Sequence, residues 1–401
     1  MKILFLTNRV PYPPTKGEKI RSYHEIDQLI RRHEVHLVTL AEPRVDDEPL
    51  AYLKTRCASV EAVDHSRHAT GALALGALVS GRPFSVAAFD SAPLKRAVER
   101  RIREERPDLL FAYSCAVAPS FEASRGIPRV IDFVDADSEK YRAYSRVHGF
   151  PQSLLYALEA DRLGRYEGRL AATFDASLFV AEPEAAIVRG RAPGREMTVL
   201  PNGVDLDTFR PAPESERAPE PNIVFTGVMG YYPNVDAVAY FARDVMPHVR
   251  AAVPAARFLI VGRDPVPAVR KLEELPGVVV TGTVPDVRPY LADAALAVAP
   301  FRIARGVQNK VLEAMACALP VVGTSMAFQG LGAREGDGVR MADTPEAMGA
   351  AVASLLRDET ERRAAGRRAR DYVERHHHWD RFGERLDTLL TSLVDAAGGR
   401  R

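Results

Sequence analysis

Short apolar runs alternate with stretches whose apolar positions recur every three or four residues, and this alternation fills most of the 401-residue chain. Runs at 2–7, 36–40, 109–113, 130–134 and 176–180 are short and apolar enough to be buried strands. Between them, Ile20, Tyr23, Ile26, Leu29 and Ile30 fall at helical spacing. Residues 210–221 interrupt the pattern with Pro and charge and read as a surface connection near a domain boundary. A second series follows, with strands predicted at 222–226, 258–261, 278–281, 295–298 and 320–322. Its helices are predicted near 234–250, 265–275, 286–293 and 307–318, and residues 345–396 are nearly all helical in pattern. Strands separated by helices imply parallel sheets covered on both faces. The length predicts two such domains. The expectation is therefore α/β, with two Rossmann-like doubly wound domains facing across a ligand cleft, where ligands gather at the carboxyl ends of the strands.

Composition narrows the function. A formal net charge of +1 excludes binding of nucleic acid or another polyanion by bulk charge. Three scattered cysteines make neither a disulfide framework nor a zinc site and fit a reducing compartment. Only four strongly apolar residues, Ile3 to Leu6, precede Thr7-Asn8-Arg9, so no export signal is read and a cytoplasmic location is expected. The weakly apolar run 69–80 is predicted to be a buried helix, since a spanning helix needs about 20 residues.

The chain has no Gly-x-Gly-x-x-Gly after its first strand, no Walker loop and no Gly-x-Ser-x-Gly. Its strongest chemical signal is the segment from Arg302 to Ala316. Gly306 permits a tight turn, and a helix starting beside it presents free amides suited to phosphate. Gly306, Lys310, Glu313 and Cys317 are spaced to share one helical face. Arg305 and Lys310 suit a diphosphate, and the Glu313 carboxylate suits ribose hydroxyls; the bland alternative is an ordinary surface pair of Lys310 with Glu313. In the first half, Asp135 and Asp137 follow a strand and suit a general base that orients an acceptor hydroxyl. The competing reading is helix capping by Asp137 or Ser138. His376-His-His378 cannot converge on one ion from a helix and reads as a junction. The basic run 362–370 reads as a solvated face, with attraction to anionic lipid headgroups as the alternative.

Several segments together resemble glycosyltransferase family 4 of the GT-B fold. Leu312-Glu313-Ala-Met-Ala-Cys-Ala-Leu-Pro-Val-Val322 looks like its donor motif, and Val199-Leu-Pro-Asn-Gly-Val-Asp205 is similar to its interdomain signature. Phe225-Thr-Gly-Val-Met-Gly230 and Val279-Val-Thr-Gly-Thr-Val-Pro-Asp286 resemble the first strand and the base-binding turn of its donor domain. Pro11-Tyr-Pro-Pro-Thr-Lys-Gly-Glu-Lys-Ile-Arg-Ser-Tyr-His24 looks like the subgroup associated with PEP-CTERM and exopolysaccharide systems. The resemblance implies an acceptor domain at 1–205, a donor domain at 206–378, and a C-terminal helix near 379–397 that returns to the first domain. It implies a retaining transfer of a sugar from a nucleoside diphosphate sugar to a glycan or lipid-linked glycan, with peripheral contact at the inner membrane. No cofactor and no metal are expected.

The resemblance also assigns residues. Glu313 would meet the ribose, Gly306 and Val307 the diphosphate, Thr283 and Val284 the base, and Gly17 and Gly227 the donor phosphate region. Two departures stand out: Arg305 occupies the place of the first Glu of the family's pair, and Tyr231-Tyr-Pro-Asn234 stands where Arg and Lys are usual. Arg302, Arg305, Lys310, Lys19 and Arg21 are the replacement cations to consider. The alternatives are a nucleotide-sugar 2-epimerase of the same fold and a non-catalytic nucleotide-binding partner.

Overall fold

A computed structural model of the chain describes residues 1–15, 17–65, 81–213 and 220–399. The apolar run 69–80 and residues 214–219 of the Pro-rich connection lie outside these residues. The chain divides into two units, Met1–Leu200 with Phe382–Arg401, and Pro201–Arg381.

The first unit holds seven strands: β1 (Lys2–Thr7), β2 (Glu34–Ala41), β3 (Ser59–Asp64), β4 (Leu109–Tyr113), β5 (Arg129–Val134), β6 (Ala176–Phe179) and β7 (Met197–Val199). Their order is β3-β2-β1-β4-β5-β6-β7, and neighbouring strands pair in parallel. Ile3, Leu4, Phe5 and Leu6 are fully buried, because helices cover both faces of a doubly wound sheet. Phe5 stacks on Phe111 of the neighbouring strand at 4.5 Å.

The second unit repeats the scheme with β8 (Asn222–Thr226), β9 (Arg257–Val261), β10 (Val278–Gly282), β11 (Leu296–Ala299), β12 (Val321–Gly323) and β13 (Val339–Met341). Their order is β10-β9-β8-β11-β12-β13. In each sheet the chain reverses its winding beside the first strand, between β1 and β4 and between β8 and β11. Such a switch point opens a crevice at the carboxyl ends of the two strands.

Three strands escaped the sequence pattern: β3, β7 and β13. Each is an outer strand of its sheet. Edge strands are short or carry charge, as Ser59–Asp64 does with Glu61, so they lack a continuous apolar run. The predicted 307–318 helix is shorter, Asn309–Ala316, and the helix predicted near 234–250 contains a π turn at Phe241–Val245.

The helix Gln152–Thr173 organises the first unit with buried carboxylates. Glu159 accepts from the backbone amides of Phe84 (2.7 Å) and Ser85 (2.8 Å), at the start of helix Phe84–Ala87. Glu167 accepts from the Ser138 amide (2.9 Å) and hydroxyl (2.6 Å), at the start of helix Asp137–Val147. Glu184 accepts from the Ala136 amide at 3.0 Å. Neither Asp137 nor Ser138 caps that helix with its own side chain, so the capping alternative does not hold. The orphan amides of a helix start need acceptors, and here other helices supply them.

The last helix, Trp379–Gly398, leaves the second unit and joins the first from Phe382 onward. Phe382, Leu386 and Leu390 are buried along one face. Asp387 ties that helix to Arg32 (2.6 Å) and to His33 (2.7 Å), and Arg385 donates to the Val199 carbonyl. Among the described residues, no helix is long and apolar enough to cross a membrane.

Candidate donor site and candidate acceptor groups

The two segments singled out in the second half of the sequence follow the two strands that flank its switch point. Gly227 comes directly after β8, and the Arg302–Gln308 loop follows β11. Gly306 has φ +58°, which glycine adopts at no steric cost. The helix begins at Asn309 with Gln308 as its N-cap. Gly306 therefore sits in the loop and not on the helical face, while Lys310 and Glu313 lie one turn apart on it. Cys317 caps the end of the helix and is buried.

Lys310 is half-buried. Its Nζ donates to Asn234 Oδ1 at 2.6 Å and lies over the rings of Phe225 (4.5 Å) and Phe301 (5.1 Å). Asn234 is itself buried and donates from Nδ2 to the Val228 carbonyl at 2.9 Å, which fixes its oxygen toward the lysine. A Cβ at Gly227 would stand 2.8 Å from Nζ, so only glycine leaves the amine its place. Burial lowers the Lys310 pKa to about 7, with the Glu313 charge acting in the other direction. Burial raises Glu313 to about 7, against the pull of Lys310. The ordinary surface pair is thus excluded: both groups are withdrawn from water, and the amine turns to Asn234. Glu313 makes no side-chain hydrogen bond or ion pair among the described residues, and a half-buried carboxylate of this kind can accept from a ligand's hydroxyls.

Asn234 is a residue that sequence reasoning missed. In the sequence it only stands where the family's usual cations are absent, and its Pro-Asn setting at a helix start gives no sign of a lysine partner. Asn202, in the Leu200-Pro-Asn-Gly segment, donates to Asn309 Oδ1 at 3.0 Å and so braces the start of the same helix.

The remaining candidates distribute unevenly. Arg302 pairs with Asp236 (Nε–Oδ2 3.1 Å) and lies over the Tyr240 ring, so its charge is already matched. Arg305 is exposed, and its carbonyl accepts from Gln308 Nε2 at 2.9 Å. Thr283 is exposed after β10, and Val284 packs against the core of the second unit.

In the first unit, Arg21 is fully buried and cannot serve as a phosphate ligand. It pairs with Asp132 (2.6 Å) and Glu25 (3.3 Å), donates to the Leu200 carbonyl (2.7 Å) and lies over the Phe382 ring. The reason is positional: the helix Gly17–Leu29 turns this residue inward toward the sheet, where Asp132 of β5 awaits it. Lys19 reaches the Tyr12 carbonyl at 3.4 Å, and Gly17 begins that helix. Asp137 holds Lys140 at 2.6 Å. Asp135 differs from its neighbours. Burial, then the charges of Glu184 and Asp137, raise it to about 7, and its Oδ1 is buried without a hydrogen-bond partner among the described residues.

The basic run 362–370 is not simply solvated. Arg370 donates to the Phe209 and Ala316 carbonyls, Arg362 to Leu355 and Leu356, and Arg368 pairs with Glu361. At 376–378 one helix ends and the next begins, and the ring of His377 is buried between the carbonyls of Asn202 (2.9 Å) and Leu331 (3.3 Å).

A model described as glycosyltransferase family 4 matches residues 20–208, and one described as glycosyl transferases group 1 matches residues 220–358. No curated protein matches the chain. Among solved structures, the chain is similar to sucrose-phosphate synthase from Thermosynechococcus elongatus, at 15% identity over 99% of this chain and 100% of that one, with a TM-score of 0.72. It is also similar to HepE from Anabaena solved with UDP-glucose, at 16% identity over 98% and 100% of the two chains, TM-score 0.66. A third is WaaG, a glycosyltransferase involved in lipopolysaccharide biosynthesis, at 16% identity over 97% and 99%, TM-score 0.64. At these identities the likeness concerns the fold.

Proposed function

We propose, on the premise that the chain is a glycosyltransferase with the GT-B fold, that it moves a sugar from a nucleoside diphosphate sugar to a hydroxyl of an envelope or exopolysaccharide glycan, lipid-linked at the point of transfer. The observation that carries this reading is the pair of half-buried groups at the β11 crevice, Lys310 and Glu313, beside the space that Gly227 leaves. Solved HepE with UDP-glucose supports a UDP-sugar as the donor class.

In this reading the Glu313 carboxylate accepts from the ribose hydroxyls. The amides around Gly306 and Val307, Lys310 and Arg305 meet the diphosphate. Thr283 and Val284 flank the base. In the transfer the bond from the anomeric carbon to the diphosphate oxygen breaks, and a bond from that carbon to the acceptor oxygen forms on the same face, with retention. Negative charge accumulates on the leaving diphosphate, and cations placed there lower the barrier. Asp135, near 7 and unpartnered at Oδ1, is suited to take the acceptor proton at neutral pH. In this reading the charge work on the leaving diphosphate falls to cations, so activity is expected to be independent of a divalent metal.

Titration calorimetry of UDP and UDP-glucose into wild type and Glu313→Gln tests the reading. Wild type binds, and the variant loses about 1.5–3 kcal/mol, the worth of a hydrogen bond to a charged group. Equal binding by both proteins sinks the assignment. Incubation with UDP-glucose and no acceptor separates the alternatives, because an epimeric sugar nucleotide as product identifies an isomerase. Dialysis against EDTA, with activity lost and then revived by magnesium, would overturn the metal-independent mechanism.

A further inference from the structure

An uncommon backbone geometry ends β5 and frames Asp135. Val134 has φ +67°. Among the described non-glycine residues with positive φ it is the one β-branched side chain, and such a residue in that region is a steric outlier. The Asp135 amide donates back to the Phe133 carbonyl at 2.9 Å, so residues 133–135 form a γ-turn of the rare, strained kind. Pairing with β6 skips a residue at the same place, since Asp132 lies opposite Leu178 and Val134 opposite Phe179. An extra residue in one strand bends it and redirects the side chains that follow.

A strained turn persists only where its surroundings over-determine it. Here the hold comes from the side chain of Asp132. Its Oδ1 accepts from the Val134 amide at 2.7 Å, and its Oδ2 accepts from Arg21 Nε at 2.6 Å. Asp132 and Arg21 are both fully buried, so the carboxylate has no water to turn to and stays on Val134. The backbone around the turn is tied as well. Val180 donates to the Val134 carbonyl at 2.9 Å, Ser114 to the Asp132 carbonyl at 2.7 Å, and Ala136 to the Glu184 carboxylate at 3.0 Å. Amid these bonds Asp135 Oδ1 is buried with no hydrogen-bond partner among the described residues. Leaving a buried oxygen unmatched is costly, and a carboxylate released from the turn would find water or a donor.

We propose that Asp132, locked by Arg21, is a positioning residue for the transfer: by holding Val134 in the left-handed turn, it keeps the Asp135 carboxylate unpartnered and ready for the acceptor hydroxyl. The proposal rests on the reading of Asp135 as the base. It gives the buried Arg21–Asp132 pair a task that packing does not require, because apolar groups of like volume often replace a buried ion pair without loss of stability. The strain at Val134 does not help the fold either, and a glycine there would remove it. The charges around Asp135 come from several elements. Glu184 and Asp137 add to burial in raising its pKa, and Lys140 and Arg21 pull the other way.

Two double variants separate the turn from the charges. Arg21→Met with Asp132→Asn removes both ions and keeps an oxygen for the Val134 amide. Arg21→Met with Asp132→Leu removes both ions and the oxygen. Full-length protein labelled with carbon-13 at its aspartate carboxyls is titrated by NMR, with Asp135→Asn assigning the signal. Asp135 is expected near 7 in the wild type and still raised in the first double variant, and to fall in the second toward the ordinary 3.8. Turnover of UDP-glucose with a soluble alkyl glucoside as acceptor is the second readout. Its kcat should stay within about threefold of wild type in the first variant and drop about tenfold or more in the second, with UDP binding unchanged in both. Val134→Gly and Val134→Pro make the same comparison with the ion pair intact. Glycine takes φ +67° freely and should keep the wild-type titration and kcat. Proline, locked near about −65° and without an amide, should lose both. Equal titration of Asp135 in the two double variants, or in the glycine and proline variants, overturns the positioning role. Full turnover by Asp135→Asn while the titrations still differ overturns instead the reading of Asp135 as the base, and the role in transfer with it.

Discussion

Lys310 carries the most informative proton in the molecule. Burial holds its amine near 7, and an anion placed beside Nζ favours the ammonium form. At pH 8 the free protein therefore holds a largely neutral amine, and binding of a diphosphate takes up a proton. Affinity should fall as the pH rises from 7 toward 10.5, the ordinary lysine value. Titration of UDP at pH 8 in two buffers of different ionisation enthalpy measures this uptake directly, and Lys310→Met should abolish it. Proton-neutral binding by the wild type would remove Lys310 from the diphosphate. Arg305 is the second test at this scale. It is exposed in the loop before the helix, so Arg305→Ala should change stability by no more than about 0.5 kcal/mol, as exposed substitutions do. The same change should weaken UDP binding, and Arg305→Glu should weaken it further, since it sets a carboxylate near the anion. UDP binding of Arg305→Glu at wild-type strength would leave Lys310 as the principal cation.

The elements of the first unit are joined by carboxylates acting at helix starts they do not belong to. Glu159 and Glu167 stand two turns apart on one helix and point the same way, each at another helix's amides. The cost of burying Glu167 shows in its pKa, raised to about 7 by desolvation despite the bonds from Ser138 and the charge of Arg191. The sign follows from linkage. A carboxyl whose folded value lies above its ordinary 4.5 binds more protons folded than unfolded, so its contribution to stability declines as the pH rises from 4.5 to 7. Glu167→Ala removes both acceptors at Ser138 and leaves Arg191 partly unmatched, a loss of about 3–5 kcal/mol for one partner of a buried pair. Thermal denaturation at pH 7 checks this, and a loss below 1 kcal/mol by the measure of a typical hydrogen bond would mean that water replaces the carboxylate.

Over the whole chain, the last helix is where the two units share one continuous element. Phe382 is buried and receives the Arg21 guanidinium at 5.0 Å, so one ring supports a charged cluster that includes Asp132 and Glu25. Phe382→Ala should cost about 3–5 kcal/mol, as large-to-small changes of buried aromatics do. The loss should appear in the transition of the unit containing Met1–Leu200, and the transition of Pro201–Arg381 should hold its midpoint in the same calorimetric scan. A uniform shift of both would show that the units unfold as one.

The alternation of apolar runs was enough to specify the two α/β sheets, because their inner strands are continuous apolar runs. The sequence also located the Gly306–Glu313 segment, since a glycine turn and a charged helix start leave a local signature. It did not determine the edge strands β3, β7 and β13, whose pairing comes from a neighbour on one side only and needs little apolar surface of its own. Nor did it determine which charges are buried and what they pair with. Arg21 and Lys310 look alike along the chain, as basic residues near a glycine at a helix start. Tertiary structure turned Arg21 inward to Asp132 and set Lys310 beside Asn234, which lies far from it in sequence. A side chain's protonation and reach depend on what is packed around it, and those neighbours are chosen by the fold and not by the adjoining residues.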